Sequence, residues 1–154
     1  MKICVFSDSH GYADNMIQAI TRESPALCFF LGDGERDLAA VHERFPSLGI
    51  NAVRGNCDLR SSLPQSLICA VQGVRFFATH GHLYNVKYDP ALQELFDAAG
   101  DAAVALFGHT HRPYLKRREG MLLLNPGTAG KVPRASYALL TLCGETVQAE
   151  IKYF

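Results

Sequence analysis

Three short clusters hold five of the six histidines of this 154-residue chain, and each cluster contains a glycine: Asp8-Ser9-His10-Gly11, His80-Gly81-His82 and Gly108-His109-Thr110-His111. Two more glycine turns, Gly32-Asp33-Gly34 and Gly55-Asn56-Cys57-Asp58, present an aspartate and an asparagine. Carboxylate and amide oxygens and imidazole nitrogens are donors for divalent metal ions. Glycine at each cluster permits a sharp backbone turn and leaves room for a metal or a phosphate. A lone Gly-Asp is a turn and a lone His-x-His is a surface loop. Five such clusters in one chain point to a metal site.

The candidate ligands are Asp8, His10, Asp33, Asn56, His80, His109 and His111. Seven side chains exceed what one tetrahedral zinc takes and suit two ions sharing a carboxylate. In a glycine turn both members of an Asp-x-His or His-x-His pair can converge on one side. Two divalent ions about 3.5–4 Å apart polarise a phosphoryl oxygen and generate hydroxide near neutral pH, which is the chemistry phosphoester hydrolysis needs. The five cysteines, Cys4, Cys28, Cys57, Cys69 and Cys143, lack the Cys-x-x-Cys spacing of a thiolate zinc finger.

Elements that could position these residues alternate along the first third. Ile3–Phe6 reads as a buried strand ending at the first cluster. Asp14 reads as the N-cap of a helix over 15–22. Leu27–Leu31 is a second buried strand running into Gly32-Asp33. Leu38, Val41, His42 and Phe45 have helical spacing, with Pro46 as the stop. Ile50–Val53 then leads to Gly55-Asn56. Strand alternating with helix favours a parallel sheet covered on its faces, with ligands at the carboxyl ends of the strands.

The rest is richer in strands. Leu67–Val71 and Val74–Thr79 form a hairpin about Gln72-Gly73 that delivers His80. A helix is expected over Pro90–Ala99, with Pro90 in its first turn. Ala103–Phe107 is a strand delivering Gly108-His109. Tyr114–Lys116 pairs with Met121–Leu124 about Glu119-Gly120, and Tyr137–Leu142 with Thr146–Phe154 about Cys143-Gly144. With no repeat or linker, residues 1–154 are expected to form a single domain with two sheets.

Bulk composition narrows the function classes. Apolar residues make up 48% and charged residues 19% of the chain, which describes a globular protein. Fifteen Lys and Arg balance fifteen Asp and Glu. That balance argues against long nucleic acid as a partner. Lys116-Arg117-Arg118 is read as a charged hairpin turn. No apolar run is long enough for a bilayer, no leader is visible, and the unpaired cysteines fit a reducing cytoplasm.

The ordered set Asp8-x-His10, Gly32-Asp33, Gly55-Asn56, His80 and Gly108-His109-x-His111 resembles the signature of the calcineurin-like metallophosphoesterases. Asn125-Pro126-Gly127-Thr128 extends the likeness toward that family's small phosphodiesterase branch, which has Asn-Pro-Gly-Ser there. The resemblance implies an α/β fold, a four-layer α/β/β/α sandwich of two mixed sheets flanked by helices. It assigns Asp8, His10 and His111 to one metal, Asn56, His80 and His109 to the other, and Asp33 as the bridge. It implies metal-bound hydroxide attacking phosphorus in line. Asp58 and Asn125 are expected to orient ligands. His82 is either such a support or a substrate contact, with a solvent-facing loop residue as the plain alternative.

One departure carries information. Many family members have Gly-Asn-His at the third cluster, where the histidine helps protonate the leaving oxygen. Here Cys57 occupies that position. A thiol is a poorer general acid near pH 7 than an imidazole. Activity on small phosphodiesters with weak activity on monoesters is therefore expected. No insertion after His82 is long enough for a cap, so the site should be shallow and open. Mn²⁺ is the favoured metal, with Fe, Ni, Co or Zn also suited to these donors. The rival expectation is a protein-binding scaffold, as in the retromer subunit that resembles the same branch; a phosphoprotein phosphatase is a third, and a homo-oligomer is left open.

Overall fold

A computed structural model describes residues 1–154. Ten strands and three α-helices follow one another as β1 (Lys2–Phe6), α1 (Asp14–Glu23), β2 (Leu27–Phe30), α2 (Leu38–Arg44), β3 (Gly49–Ala52), β4 (Ser66–Val71), β5 (Val74–Thr79), α3 (Gln93–Ala99), β6 (Val104–Leu106), β7 (Pro113–Arg118), β8 (Met121–Pro126), β9 (Ser136–Cys143) and β10 (Thr146–Tyr153). They form two five-stranded mixed sheets, ordered β10-β9-β1-β2-β3 and β4-β5-β6-β8-β7. In each sheet three neighbouring strands are parallel: β1, β2 and β3 in the first, β5, β6 and β8 in the second.

Alternation along the strands makes the layers. Ile3 and Val5 of β1, with Phe29 of β2, face Phe76 of β5 and Val104 and Leu106 of β6 in the core between the sheets. The Phe29 and Phe76 rings stack across that layer at 5.2 Å. The intervening residues Cys4, Phe6, Cys28 and Phe30 point the other way and pack under Met16, Ala19 and Ile20 of α1 and Val41 of α2. On the outer face of the second sheet, Phe77, Ala105 and Leu123 meet Leu95 and Ala99 of α3. Helix, sheet, sheet, helix is thus the order of layers. No helix is long and apolar enough to cross a membrane.

Local details depart from the sequence expectations in three places. Asp14 is the first residue of α1 and makes no cap; Ala13 precedes it in helical conformation, and the Asp14 carboxylate acts on the helix dipole instead. Helix α3 starts at Gln93 rather than Pro90. The Asp89 carboxylate takes the backbone N–H groups of Ala91 and Gln93, and Leu92 adopts φ 52°, which breaks any earlier turn. Lys116-Arg117-Arg118 lies within β7, ahead of the turn. Arg117 donates to the Val147 carbonyl at 2.8 Å, and the Arg118 guanidinium covers Phe96 at 4.0 Å.

Glu23 ends α1 in a buried charged cluster. Its carboxylate accepts hydrogen bonds from Lys152 (2.8 Å), the Tyr137 hydroxyl (2.8 Å) and Lys2 (3.4 Å). Lys152 foremost, with Tyr137 and Lys2, holds its pKa at about 2 instead of 4.5 against the opposing effect of burial. A depressed pKa adds stability above the unfolded value and loses it as pH falls toward the folded one. Glu23→Gln is expected to cost about 1–3 kcal/mol in urea unfolding at pH 7. The gap between variant and parent should close as pH falls from 4.5 toward 2.

Candidate metal centre

All five clusters lie just beyond the carboxyl ends of parallel strands, and the two sheets bring those ends together along one edge. Asp8 and His10 follow β1, Asp33 follows β2, and Asn56 follows β3. His80 follows β5 and His109 and His111 follow β6. Five of these residues occupy left-handed backbone conformation: Asp8 (φ 56°), His10 (46°), Asp33 (58°), His109 (65°) and His111 (57°). That conformation is unfavourable for a residue with a Cβ. It turns each side chain back over the strand ends.

The donor atoms gather in two groups. In the first, His111 Nε2 lies 3.0 Å from Asp8 Oδ1 and 3.3 Å from His10 Nε2. In the second, His80 Nε2 lies 3.1 Å from Asn56 Oδ1, 3.2 Å from His109 Nδ1 and 3.3 Å from Asp33 Oδ2. Donors bound to one ion at 2.0–2.2 Å lie about 3.0–3.6 Å apart, which matches this spacing. Asp8 Oδ1 is 3.9 Å from His80 Nε2, so the groups are contiguous. All seven sequence-derived candidates are brought together here.

The electrostatics suit a cation. Asp8 is fully buried, and its Oδ1 has no hydrogen-bond partner while three imidazole nitrogens face it. A buried anionic oxygen is costly without a compensating charge. His80 donates from Nδ1 to the Leu31 carbonyl at 2.7 Å, which leaves Nε2 as the lone-pair nitrogen. Burial works against charge on His80, but the Asp33 and Asp8 carboxylates raise its pKa. Asp8 likewise raises that of His111. Burial and the neighbouring His80 lower that of His109 to about 4. Burial favours protonated Asp33, yet the His80 ring and the Cys57 backbone N–H hold its carboxyl well below the usual range.

The surrounding groups fix these side chains. Asp58 accepts four backbone N–H bonds, from Asp33 (2.8 Å), Gly34 (3.0 Å), Glu35 (3.0 Å) and Gly55 (2.9 Å), tying the Asp33 and Asn56 loops together. Those N–H groups outweigh burial and lower its pKa. Buried Asn125 donates to the Gly108 carbonyl (2.7 Å) and Thr110 (3.1 Å) and accepts from Gly127 N–H (2.9 Å). The glycines serve protein contacts: a Cβ on Gly55 would overlap Asp33 Oδ1, and one on Gly32 would strike the Gly55 backbone. Close approach of the two loops, rather than room for a ligand, requires them.

Cys57 Sγ lies within 4.8 Å of a His10 nitrogen and an Asp33 oxygen, on the open side of the centre. The His82 ring packs beside His80 and His109, with centroids at 5.4 and 6.1 Å, so it is no free loop residue. Its buried Nδ1 has no hydrogen-bond partner, and burial lowers its pKa.

Sequence reasoning missed several supports. Ser7 donates to Asp8 Oδ2, which also takes the His109 N–H at 3.1 Å. Thr128 donates to the Asp8 carbonyl at 2.7 Å. Asp37 accepts from Ser9 and the Gly11 N–H. Ser7 and Ser9 flank a ligand and were findable by position; Asp37, 28 residues from Ser9, left no local signal.

Comparison with known proteins identifies the family. The family model for the calcineurin-like phosphoesterase superfamily domain matches residues 1–145. The chain belongs to that family. It is 29% identical over 170 residues to the phosphodiesterase YfcE of Escherichia coli K12, covering 91% of this chain and 87% of that one. A predicted phosphoesterase of Streptococcus pneumoniae TIGR4 superposes with a TM-score of 0.80 at 26% identity, over 99% of this chain and 88% of the other. Vps29 of Entamoeba histolytica, in a structure complexed with zinc, shares the fold: TM-score 0.78, 18% identity and 99% of both chains.

Asp58→Asn is expected to lower Mn²⁺ affinity about tenfold or more, because two of its four N–H donors would face an amide nitrogen. Calorimetric titration with Mn²⁺ measures this; unchanged affinity would mean that the loops hold the ligands without Asp58.

Proposed function

We propose that the whole chain, residues 1–154, works as a metal-dependent phosphodiesterase on small phosphodiesters, weak on monoesters. The observation behind this is the pair of contiguous donor groups about a buried, unpartnered Asp8 oxygen. Asp8, His10 and His111 would hold one divalent ion, Asn56, His80 and His109 a second, with Asp33 shared. Bound there, divalent ions supply Lewis acidity toward a phosphoryl oxygen and lower the pKa of water. Mixed carboxylate, amide and imidazole donors support Mn²⁺ as the working metal. We place the protein in the cytoplasm.

The chain's own residues do the positioning. Asp58 and Asn125 hold the ligand loops in register, and the hydrogen bond from His80 to Leu31 fixes the ring that both carboxylates face. A cavity of about 770 Å³ opens beside His10 and Asp33, with Arg36 and Arg60 on its walls. Glu35, Asp37 and Asp58 share those walls, so the two guanidinium groups are what give a phosphate's negative charge a complement there. A protein-binding scaffold shares the fold, but a scaffold has no need of seven competent donors.

The first test is hydrolysis of bis(p-nitrophenyl) phosphate by metal-stripped protein with and without Mn²⁺. Turnover should require the metal and fall about a hundredfold or more in Asp33→Asn and His80→Ala. Folded protein inactive with every divalent metal would reject the enzyme reading. Cys57→His tests the ester preference. With an imidazole on the open side of the centre, turnover of p-nitrophenyl phosphate should rise relative to the diester. An unchanged ratio would separate the preference from Cys57.

A further inference from the structure

A second cavity of about 650 Å³ shares no lining residue with the one that carries Arg36 and Arg60. Thr110, which lies between His109 and His111 in the chain, forms part of its wall and so puts the groove beside the loop that carries those two histidines. Its floor is apolar and buried, made by Val86, Leu92 and Phe107. Two tyrosines frame it. Tyr88 is 83% exposed, an unusual placement for a large ring, and Tyr114 packs on Phe107 with centroids 5.8 Å apart.

The charged groups along this groove are unequal in number and in freedom. Lys87, Arg112 and Lys116 bring three cations. Asp89 is the one carboxylate, and both its oxygens already accept backbone N–H bonds from Ala91 and Gln93. An apolar slot with two aromatic rings, an uncompensated positive rim and the loop of His109 and His111 beside it is complementary to a planar ring carrying negative charge.

We infer that this groove binds one substituent of the diester, and that the substituent is a nucleoside or nucleotide, its base lying between Tyr88 and Tyr114 over Phe107 and its anionic groups meeting Lys87 and Arg112. The inference rests on the phosphodiesterase reading and narrows it to nucleotide-like esters. Base–aromatic stacking needs no sequence code, so the groove would accept several bases.

Two esters with the same leaving group isolate the groove: thymidine 5′-(p-nitrophenyl phosphate) and methyl p-nitrophenyl phosphate, each with the Mn²⁺-loaded protein. The expected result is a kcat/KM at least tenfold higher for the thymidine ester, carried by KM. In Tyr88→Ala and Lys87→Ala that ratio should collapse toward one. Tyr88 is exposed, so its truncation spares the fold. Turnover of both esters with no preference would overturn the groove assignment and leave the diesterase reading standing. A binding measurement keeps the two separable: AMP titrated into ¹⁵N-labelled protein should shift amides in 86–92 and 110–114, and Tyr88→Ala should weaken that binding at least fivefold. If neither ester is hydrolysed with any metal, the diesterase reading fails. The AMP shifts would then uphold nucleotide binding in the groove, and their absence would overturn it.

Discussion

Everything at the functional edge depends on one buried charge. The Asp8 carboxylate sits where the two sheets meet, fully enclosed, with Oδ2 bonded to Ser7 and the His109 N–H and Oδ1 bonded to nothing. Burying an ion costs several kcal/mol unless a counter-charge accompanies it. His80 and His111 face that carboxylate, and the carboxylates beside them raise the pKa of both rings. In the proposed assignment a divalent ion would supply the counter-charge, since one ion could satisfy Asp8, His10 and His111 together. The same bonds that bury Asp8 also join β1 to the loop after β6, so the two sheets share one edge through it.

Backbone conformation is the second part of that constraint. Five ligands in left-handed conformation carry local strain of about 1–2 kcal/mol each. Such residues persist only where the surroundings hold them. Asp58 holds the Asp33 and Asn56 loops with four N–H bonds, Asn125 holds the Gly108 loop, and Thr128 holds the Asp8 carbonyl. Asp58 and Asn125 belong to the site as firmly as the ligands do, because without them the ligands would relax.

How much of this was legible depended on the range of each interaction. Strand periodicity and glycine turns are local, so β1, β2, β5 and β6 and the seven candidate positions that the fold brings together could be read directly. The layers followed from alternation along strands such as Ile3–Phe6. Helix starts were harder, because they turn on single hydrogen bonds: Asp89 captures Ala91 and Gln93 and delays α3 past Pro90. The role of the glycines was misjudged for a similar reason. The contact between Gly55 and Asp33 joins residues on different loops, and nothing local signals it. Asp37 and the cation–aromatic groove were invisible because their parts come from distant segments. Lys116, part of an apparently ordinary charge run, acquires its place only when β7 brings it beside Tyr114.

The absence of a cap need not mean an unselective site. A small chain can place recognition beside the centre instead of above it, provided the flanking loops are rigid. Both flanks meet that condition. On one side the Asp33 and Asn56 loops are locked by Asp58, with Arg36 and Arg60 along the cavity. On the other, Asn85 accepts from Tyr88 and Asp89 N–H, Asp89 caps the next turn, and Thr110 is held by Asn125. The first flank is lined mostly by charged and polar groups, with Ala39 and Leu59 among them; the second adds aromatic rings and a buried apolar floor. On the proposed reading that asymmetry would distinguish the two ester substituents of a diester, whereas a monoester, with one substituent, could fill only one flank. A preference for diesters would then have a binding origin that is independent of Cys57 and acts alongside it.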